Sequence, residues 1–172
     1  MKQIMVVGAG SVGGYFGVQL AKANPDVSFL LRPKTLAAVK HRGLTVRSAT
    51  GTVTVHPPAS ANPRDLPKPD LVILAVKAYD LDEVMDQIEP VIDDRTVLLT
   101  LQNGIDTEDR ILARLKRDCV VGGVAFIYSK IAEPGVIDHY KKGAVAIGEL
   151  MGHESERLLR IRDLFAAAGV PC

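Results

Sequence analysis

The chain has 172 residues, of which 47% are hydrophobic and 24% charged, a composition typical of one ordinary globular domain. Lys and Arg number 21 and Asp and Glu 20, so the net charge of +1 provides no field to attract nucleic acid or an acidic membrane. The two cysteines, Cys119 and Cys172, have neither metal-ligand nor redox spacing, and Cys119 opens an apolar run that predicts a buried position. The apolar runs are too short to span a bilayer and no leader pattern is present, so a cytoplasmic protein is expected.

Strand and helix patterns alternate along the first two thirds of the chain. The predicted strands are 4–7, 27–31, 44–48, 52–56, 71–76 and 97–101, and the predicted helices are 11–23, 33–41, 81–88 and 105–115. The strands on either side of Ala49-Thr50-Gly51 are predicted to form a β-hairpin, and the proline-rich segment 57–69 a loop. Strands that alternate with helices predict a parallel sheet with right-handed crossovers.

The pattern changes after residue 119. Segments 120–128, 135–139 and 144–147 are predicted to be successive strands without long helices between them, followed by a helix over 157–168. The whole chain is therefore expected to be one α/β domain, 1–172, with a doubly wound and mostly parallel sheet and extra strands after residue 119.

A glycine motif links the first strand to the first helix. Gly8-Ala9-Gly10-Ser11-Val12-Gly13 fits G-x-G-x-x-G, the Rossmann dinucleotide fingerprint, in its required strand–turn–helix context. Gly8 permits the tight turn, Gly10 lets a pyrophosphate approach the backbone, and Gly13 lets the helix pack on the strand. Free amides and the helix dipole then favour phosphate. The structural alternative is a plain turn whose glycines serve packing only.

The residue at the end of the second strand indicates which cofactor is bound. NAD-binding units usually have an acidic residue there, about 20 residues on, which accepts from the ribose 2′-hydroxyl. Here the position is Arg32, 22 positions after Gly10. A guanidinium attracts a 2′-phosphate and can bond it bidentately, so the sequence favours NADP. The alternative is a solvated arginine on a loop.

Two further polar residues follow buried strands. Lys77 comes after strand 71–76 and Asn103 after strand 97–101. In open α/β sheets ligands bind beyond the carboxyl ends of the strands, so both are expected beside the glycine loop. Lys77 could instead simply end a strand, and Asn103-Gly104 could be a turn that caps the next helix.

With these residues placed, the chain resembles the ketopantoate reductase (2-dehydropantoate 2-reductase) family. The glycine motif and Arg32 are followed by Ala75-Val76-Lys77-Ala78 and Leu101-Gln102-Asn103-Gly104. Three later segments are also similar to the family's: Gly122-Gly123-Val124, Glu133-Pro134-Gly135-Val136-Ile137 and Ile147-Gly148-Glu149.

The resemblance implies NADPH-dependent reduction of ketopantoate, a small 2-oxo acid, to pantoate on the way to pantothenate and coenzyme A. It implies that Arg32 contacts the 2′-phosphate, that Lys77 binds cofactor, and that Asn103 lies by the nicotinamide ribose and substrate. Ser129 falls near a family position that contacts the cofactor through its backbone.

The family's general acid is a lysine in a second, helical domain, which this sequence is expected to lack. We therefore expect no catalytic residue within the chain and no turnover by the chain alone. Two other interpretations stay open: a two-domain NAD(P)-dependent oxidoreductase of another 2-oxo acid, sugar acid or opine, and a nucleotide-sensing regulatory module. A homodimer also stays open, because the missing domain would leave apolar surface exposed.

Overall fold

The computed structural model describes residues 1–172 and contains nine strands and five α-helices. The strands are β1 (Ile4–Val7), β2 (Val27–Leu30), β3 (Leu44–Ser48), β4 (Gly51–Val55), β5 (Ala59–Ser60), β6 (Leu71–Leu74), β7 (Val97–Thr100), β8 (Val120–Glu133) and β9 (Val136–Glu149). The helices are α1 (Ser11–Ala23), α2 (Pro33–Arg42), α3 (Leu81–Ile88), α4 (Thr107–Leu115) and α5 (Glu156–Ala167). None of these helices is both long and apolar enough to cross a membrane.

All nine strands form one sheet in the order β4-β3-β9-β8-β7-β6-β1-β2-β5. Neighbouring strands are parallel except in two pairs, β3 with β4 and β8 with β9. From β1 the chain crosses to β2 on one side and later to β6 on the other, which makes β1 the point where the strand order reverses. The predicted Rossmann-type fold, with a doubly wound, mostly parallel sheet and extra strands after residue 119, is confirmed.

Helices cover both faces of the central strands, and this explains their uninterrupted apolar sequences. In β1, Ile4 and Val6 face the larger core, which contains residues of α1 and α5. Met5 and Val7 face the smaller core beneath α3 and α4. Each such side chain contributes about 1.5–3 kcal/mol when it is fully buried. Cys119 lies in the smaller core, as predicted.

Two glycines of α1 bring this helix close to the sheet. A Cβ atom at Gly17 would lie 2.4 Å from Cζ of Phe29 on β2. One at Gly13 would lie 2.2 Å from the carbonyl oxygen of Gly8. Because larger side chains would collide at both positions, these glycines set the distance between α1 and the sheet.

The segment after residue 119 differs from the prediction in its strand count. The strands predicted over 135–139 and 144–147 are one strand, β9, which pairs with β8 in a long hairpin. Polar residues between them resemble a turn, but the register shifts there, and Lys142 (φ 63°) and Gly143 (φ 115°) adopt left-handed conformations. The chain therefore bulges and continues as a strand.

Two smaller boundaries also differ from prediction. The predicted loop 57–69 contains the two-residue strand β5 and a short 3-10 turn, Pro63–Asp65. The helix predicted from Ile105 begins at Thr107. The hairpin β3–β4 forms as predicted, although Gly51 belongs to its second strand.

A buried ion pair holds α5 against the end of β9. The Glu149 carboxylate, with 2% of its side chain exposed, receives hydrogen bonds from Arg157 and Ser155, and Arg157 also binds Asp118. These bonds lower the pKa of Glu149 below its ordinary value, with the Arg157 guanidinium as the main cause. Ser155 also caps the helix, because its hydroxyl accepts from the Leu158 amide.

One face of the β8–β9 hairpin has no helix over it. The apolar residues of this hairpin face include Val124, Phe126 and Tyr128 on β8 and Ala144 and Ala146 on β9. At one end of the face Tyr140 packs against Tyr128, and Nζ of Lys130 lies over the Tyr140 ring. Val120, four residues before Val124 on the same strand, belongs to the core beneath α3 and α4, so the hairpin face extends the sheet surface that those helices cover. The three β8 side chains of the hairpin face are exposed.

Candidate functional site

A cleft of about 630 Å³ opens at the edge of the sheet where β1, β2, β6 and β7 end. Its lining includes Gly8–Val12, Arg32, Lys77 and Asn103, which come from four separate strand ends. The cleft lies beside β1, where the strand order reverses, the position at which open α/β sheets bind ligands. The structure thus brings the main predicted site residues together.

The glycine loop forms the floor of the cleft. Gly8 has a φ of +92°, and its amide donates to the Leu30 carbonyl at 3.0 Å, which anchors the loop to β2. A Cβ at Gly10 would meet nothing within 4 Å, so this residue faces open space. Gly13 does not line the cleft, because it packs against the backbone of Gly8 and the side chain of Ala75.

The start of α1 offers unpartnered amides to that open space. Gly10 is the N-cap and no side chain caps the helix. The first backbone hydrogen bond of the helix runs from the Gly14 N–H to the Gly10 carbonyl at 2.8 Å, so the N–H groups before Gly14 have no partner within the helix. The first turn contains no acidic residue. This end of the helix therefore suits an anion.

Arg32 lies two residues after the end of β2 and is the N-cap residue of α2. Its side chain is 66% exposed, and its Nη2 lies 2.6 Å from Oδ1 of Asp80. The Asp80 side chain is only 13% exposed and comes from the loop after β6. Arg32 is therefore solvated, as the alternative interpretation expects, and it is also paired with an acidic partner at the cleft wall.

Lys77 follows β6 and is exposed at the cleft. After it the chain makes a 3-10 turn, Ala78–Asp80, which leads into α3. This turn directs Asp80 back towards Arg32, and Glu83 lines the same wall from the first turn of α3. Two basic and two acidic side chains thus line the cleft, with Arg32 and Asp80 in direct contact.

The loop after β7 is tied to the loop after β6 by a side chain that sequence reasoning missed. Nε2 of Gln102 donates to the carbonyl oxygens of Val76 and Lys77, at 3.1 and 3.3 Å. Oε1 of Gln102 has no hydrogen-bond partner within the protein. Asn103, the next residue, is exposed and lines the cleft. Gln102 therefore fixes the position from which Asn103 reaches into the cleft.

Ser129 lies outside the cleft lining. It is on β8, and its hydroxyl donates to the Ser11 carbonyl at 3.2 Å. This bond joins β8 to the beginning of α1, next to the glycine loop. Two residues later, Ile131 does line the cleft, a contact that the sequence analysis did not identify.

Asp80 and Gln102 are the principal site residues that sequence reasoning did not find. Lys77 lies directly after the predicted strand 71–76, and Asn103 lies two residues after the predicted strand 97–101. Asp80 reaches the site through a 3-10 turn, and no sequence pattern showed its pairing with Arg32. Gln102 carried a weak signal, since it is a polar residue at the end of an apolar strand.

Comparison with known proteins identifies the family. The sequence profile described as ketopantoate reductase PanE/ApbA matches residues 4–152. The chain belongs to the ketopantoate reductase family. Members of this family are oxidoreductases that use a nicotinamide cofactor and act on a small keto acid.

The similarity extends over nearly the whole chain. An uncharacterized oxidoreductase of Bacillus subtilis, YkpB, is 33% identical over 95% of this chain and 54% of its own length. The crystal structure of 2-dehydropantoate 2-reductase from Geobacter metallireducens superposes with a TM-score of 0.91 at 33% identity, over 99% of this chain and 56% of that one. D-mandelate dehydrogenase, solved with NADH and anilino(oxo)acetate, superposes with a TM-score of 0.87 at 25% identity, over 98% of this chain and 55% of that one.

The chain thus spans about half the length of the ketopantoate reductase relatives it matches. The shared half contains the glycine loop and all four strand ends that line the cleft.

Proposed function

We propose that this chain is the NADP-binding half of a 2-dehydropantoate 2-reductase, which reduces ketopantoate to pantoate with NADPH in pantothenate biosynthesis, in the cytoplasm. The observation that carries the proposal is the cleft at the strand-order reversal, where the glycine loop, Arg32, Lys77 and Asn103 meet. The membership of the ketopantoate reductase family supports the reaction class.

The residues present fit a dinucleotide. The pyrophosphate would lie over Gly10, where a Cβ would meet only open space, and would accept from the unpartnered amides at the start of α1. Arg32 would hold the 2′-phosphate at the β2 end of the cleft, and Lys77 would add a second positive charge to the phosphates. Both side chains are exposed at the cleft.

The nicotinamide end would lie towards β6 and β7. The reduced nicotinamide supplies the hydride when it is bound. Asn103 would contact the nicotinamide ribose and the substrate, with Gln102 holding its loop against the carbonyls of Val76 and Lys77. Ser129 would contact the cofactor through its backbone. The hydrogen bond from its hydroxyl to the Ser11 carbonyl holds this part of β8 beside the glycine loop.

In our proposal, the proton donor for the reaction lies outside this chain. Reduction of a ketone leaves an alkoxide, which needs a positioned proton donor. We assign Lys77 to the cofactor, and place the general acid in a second, helical domain corresponding to the remaining length of the relatives. Residues 1–172 then form the cofactor-binding domain, and half of the substrate site belongs to the other domain.

A different 2-oxo acid is the second candidate substrate. The structural similarity to D-mandelate dehydrogenase, a protein solved with NADH and an oxoacetate ligand, supports it. Both candidates share the site chemistry, since each requires a nicotinamide and a carboxylate-bearing carbonyl compound.

The experiment that tests the proposal measures NADPH oxidation with ketopantoate, and separately with the 2-oxo acid that corresponds to mandelate. It compares the 172-residue chain with a protein extended to the full length of the relatives. We expect turnover of ketopantoate by the longer protein and none by the chain alone. Equal rates for the two proteins would place the proton donor within residues 1–172. If only the aromatic 2-oxo acid is turned over, that acid and not ketopantoate is the substrate.

A further inference from the structure

We infer that Asp80 sets the cofactor preference of the cleft by holding the guanidinium of Arg32 and partly neutralising it. This inference rests on the proposed function, since it concerns the same nicotinamide site. It adds a specificity-determining residue that lies 48 positions after Arg32 in the chain and is brought to it only by the fold.

Two opposite specificity groups meet at one point of the cleft. NAD-binding sites use a carboxylate that accepts from the ribose 2′-hydroxyl, whereas NADP-binding sites use a guanidinium that binds the 2′-phosphate. Here a carboxylate and a guanidinium both line the cleft, with Asp80 Oδ1 and Arg32 Nη2 separated by 2.6 Å. The site thus contains the recognition group for each cofactor, and these two groups are paired with one another.

Asp80 is the fixed member of the pair. Its side chain is largely buried, and its amide donates to the Lys77 carbonyl at 2.9 Å within the 3-10 turn. It precedes α3, but its carboxylate makes no capping bond to that helix. Arg32 is a long side chain, mostly exposed. The Asp80 carboxylate therefore holds the Arg32 guanidinium and does not cap α3.

The pair has opposite consequences for the two cofactors. A 2′-phosphate that binds Arg32 must share the guanidinium with the fixed negative charge of Asp80, and this competition weakens the binding of NADPH. A 2′-hydroxyl carries no charge and can donate to Asp80, so NADH meets no such penalty. Ion pairs at exposed positions contribute little interaction energy. Because the Arg32 guanidinium is mostly exposed, we expect Asp80 to weaken the affinity for NADPH by about fivefold.

The test is to titrate NADPH and NADH by calorimetry into the chain and its Asp80→Asn variant. The substitution keeps the shape of the side chain and removes its charge. We expect the dissociation constant for NADPH to fall about fivefold and that for NADH to stay the same or rise. A purely structural role would change both affinities together, so the ratio of the two is the decisive quantity.

Glu83→Gln is the matched control, because Glu83 lines the same cleft and contacts Gln87 rather than Arg32. It removes one negative charge without releasing the guanidinium, and we expect a smaller change in the ratio. Equal changes in the two variants would overturn the inference, as would unchanged or weaker NADPH binding by Asp80→Asn.

Arg32→Ala separates failure of this inference from failure of the proposed function. We expect it to weaken NADPH by about tenfold or more and to abolish the effect of Asp80→Asn in the double variant. If Arg32→Ala weakens NADPH but Asp80→Asn changes nothing, the proposed function stands and the role of Asp80 is wrong. If the unsubstituted chain binds neither cofactor, both are wrong.

Discussion

At the scale of single residues, the three glycines of the fingerprint have different surroundings. A Cβ at Gly8 would lie 2.9 Å from Val76 and one at Gly13 would lie 2.2 Å from a backbone oxygen, but one at Gly10 would meet nothing. Gly10 also has extended backbone angles, φ −72° and ψ −167°, that other residues adopt without strain. The first and third glycines therefore serve the fold, and only the middle one leaves room for a ligand.

We predict that Gly10→Val folds normally and loses dinucleotide binding, because a branched side chain would fill the space that the proposed pyrophosphate needs. Calorimetric titration with NADPH, together with a thermal melt, checks both parts. Gly13→Ala is the comparison variant, and it should lower the melting temperature because its methyl group meets the Gly8 carbonyl. A folded Gly10→Val protein with unchanged NADPH affinity would contradict the assignment of the site.

The residues of the cleft could be predicted where backbone topology alone places them. Arg32, Lys77 and Asn103 each follow a buried parallel strand, and the carboxyl ends of such strands share one edge of the sheet. Asp80 and Gln102 depend on a turn and on side-chain conformation, which strand and helix periodicity does not specify. The sequence therefore predicted positions that line the cleft and did not predict the contacts that hold them.

At the scale of elements, the attachment of α5 is sensitive to pH. The pKa of Glu149 is lowered in the folded protein, mainly by Arg157, from an ordinary value of 4.5. The unfolded state therefore binds the proton more tightly, so the ion pair contributes stability above about pH 4.5. This contribution is lost as the pH falls below that value towards the lowered pKa of the folded state.

We predict that Arg157→Met lowers the free energy of unfolding by about 3 kcal/mol at neutral pH, because it leaves a buried carboxylate without its cation. The difference from the unsubstituted chain should shrink as the pH falls, since protonation removes the uncompensated charge. Urea denaturation at several pH values measures this. Arg160→Met is the control, and its exposed pair with Glu156 should contribute about 0.5 kcal/mol or less. A pH-independent difference would show that Arg157 acts through packing.

The elements themselves were predicted well where apolar periodicity is strong. The bounds of β1 and α1 match the expectation, because a buried parallel strand and the glycine motif that leads from it into a helix both have clear patterns. The single strand β9 was not predicted. Its polar residues near Lys142 have the composition of a turn, and only pairing with β8 keeps this segment extended through the bulge.

At the scale of the whole molecule, the hairpin face is apolar surface without a cover. A contiguous exposed apolar patch marks an interaction surface. In a solution of this chain, the surface available to cover it is the same face of a second copy, which a two-fold axis can pair with itself.

We predict that the chain forms a weak dimer that Phe126→Lys abolishes, because a charge at the centre of the face would have to be desolvated in the dimer. Sedimentation velocity over a range of concentrations measures the association. Tyr79→Lys is the control, since Tyr79 is an exposed aromatic residue in the turn after β6 and does not belong to the β8–β9 hairpin. A chain that stays monomeric at every concentration, or a Phe126→Lys variant that still dimerises, would contradict the prediction.

The sheet ends in two unlike strands, and this decides where fibrillar growth could begin. At one edge β5 has two residues and follows two prolines, Pro57 and Pro58, which lack the amide that a further strand would require. At the other edge β4 presents five residues, with Thr52 and Thr54 exposed and no proline among them. Cross-β templating by a partly unfolded copy would therefore start at β4, and a proline at Thr52 or Thr54 is the change that would block it.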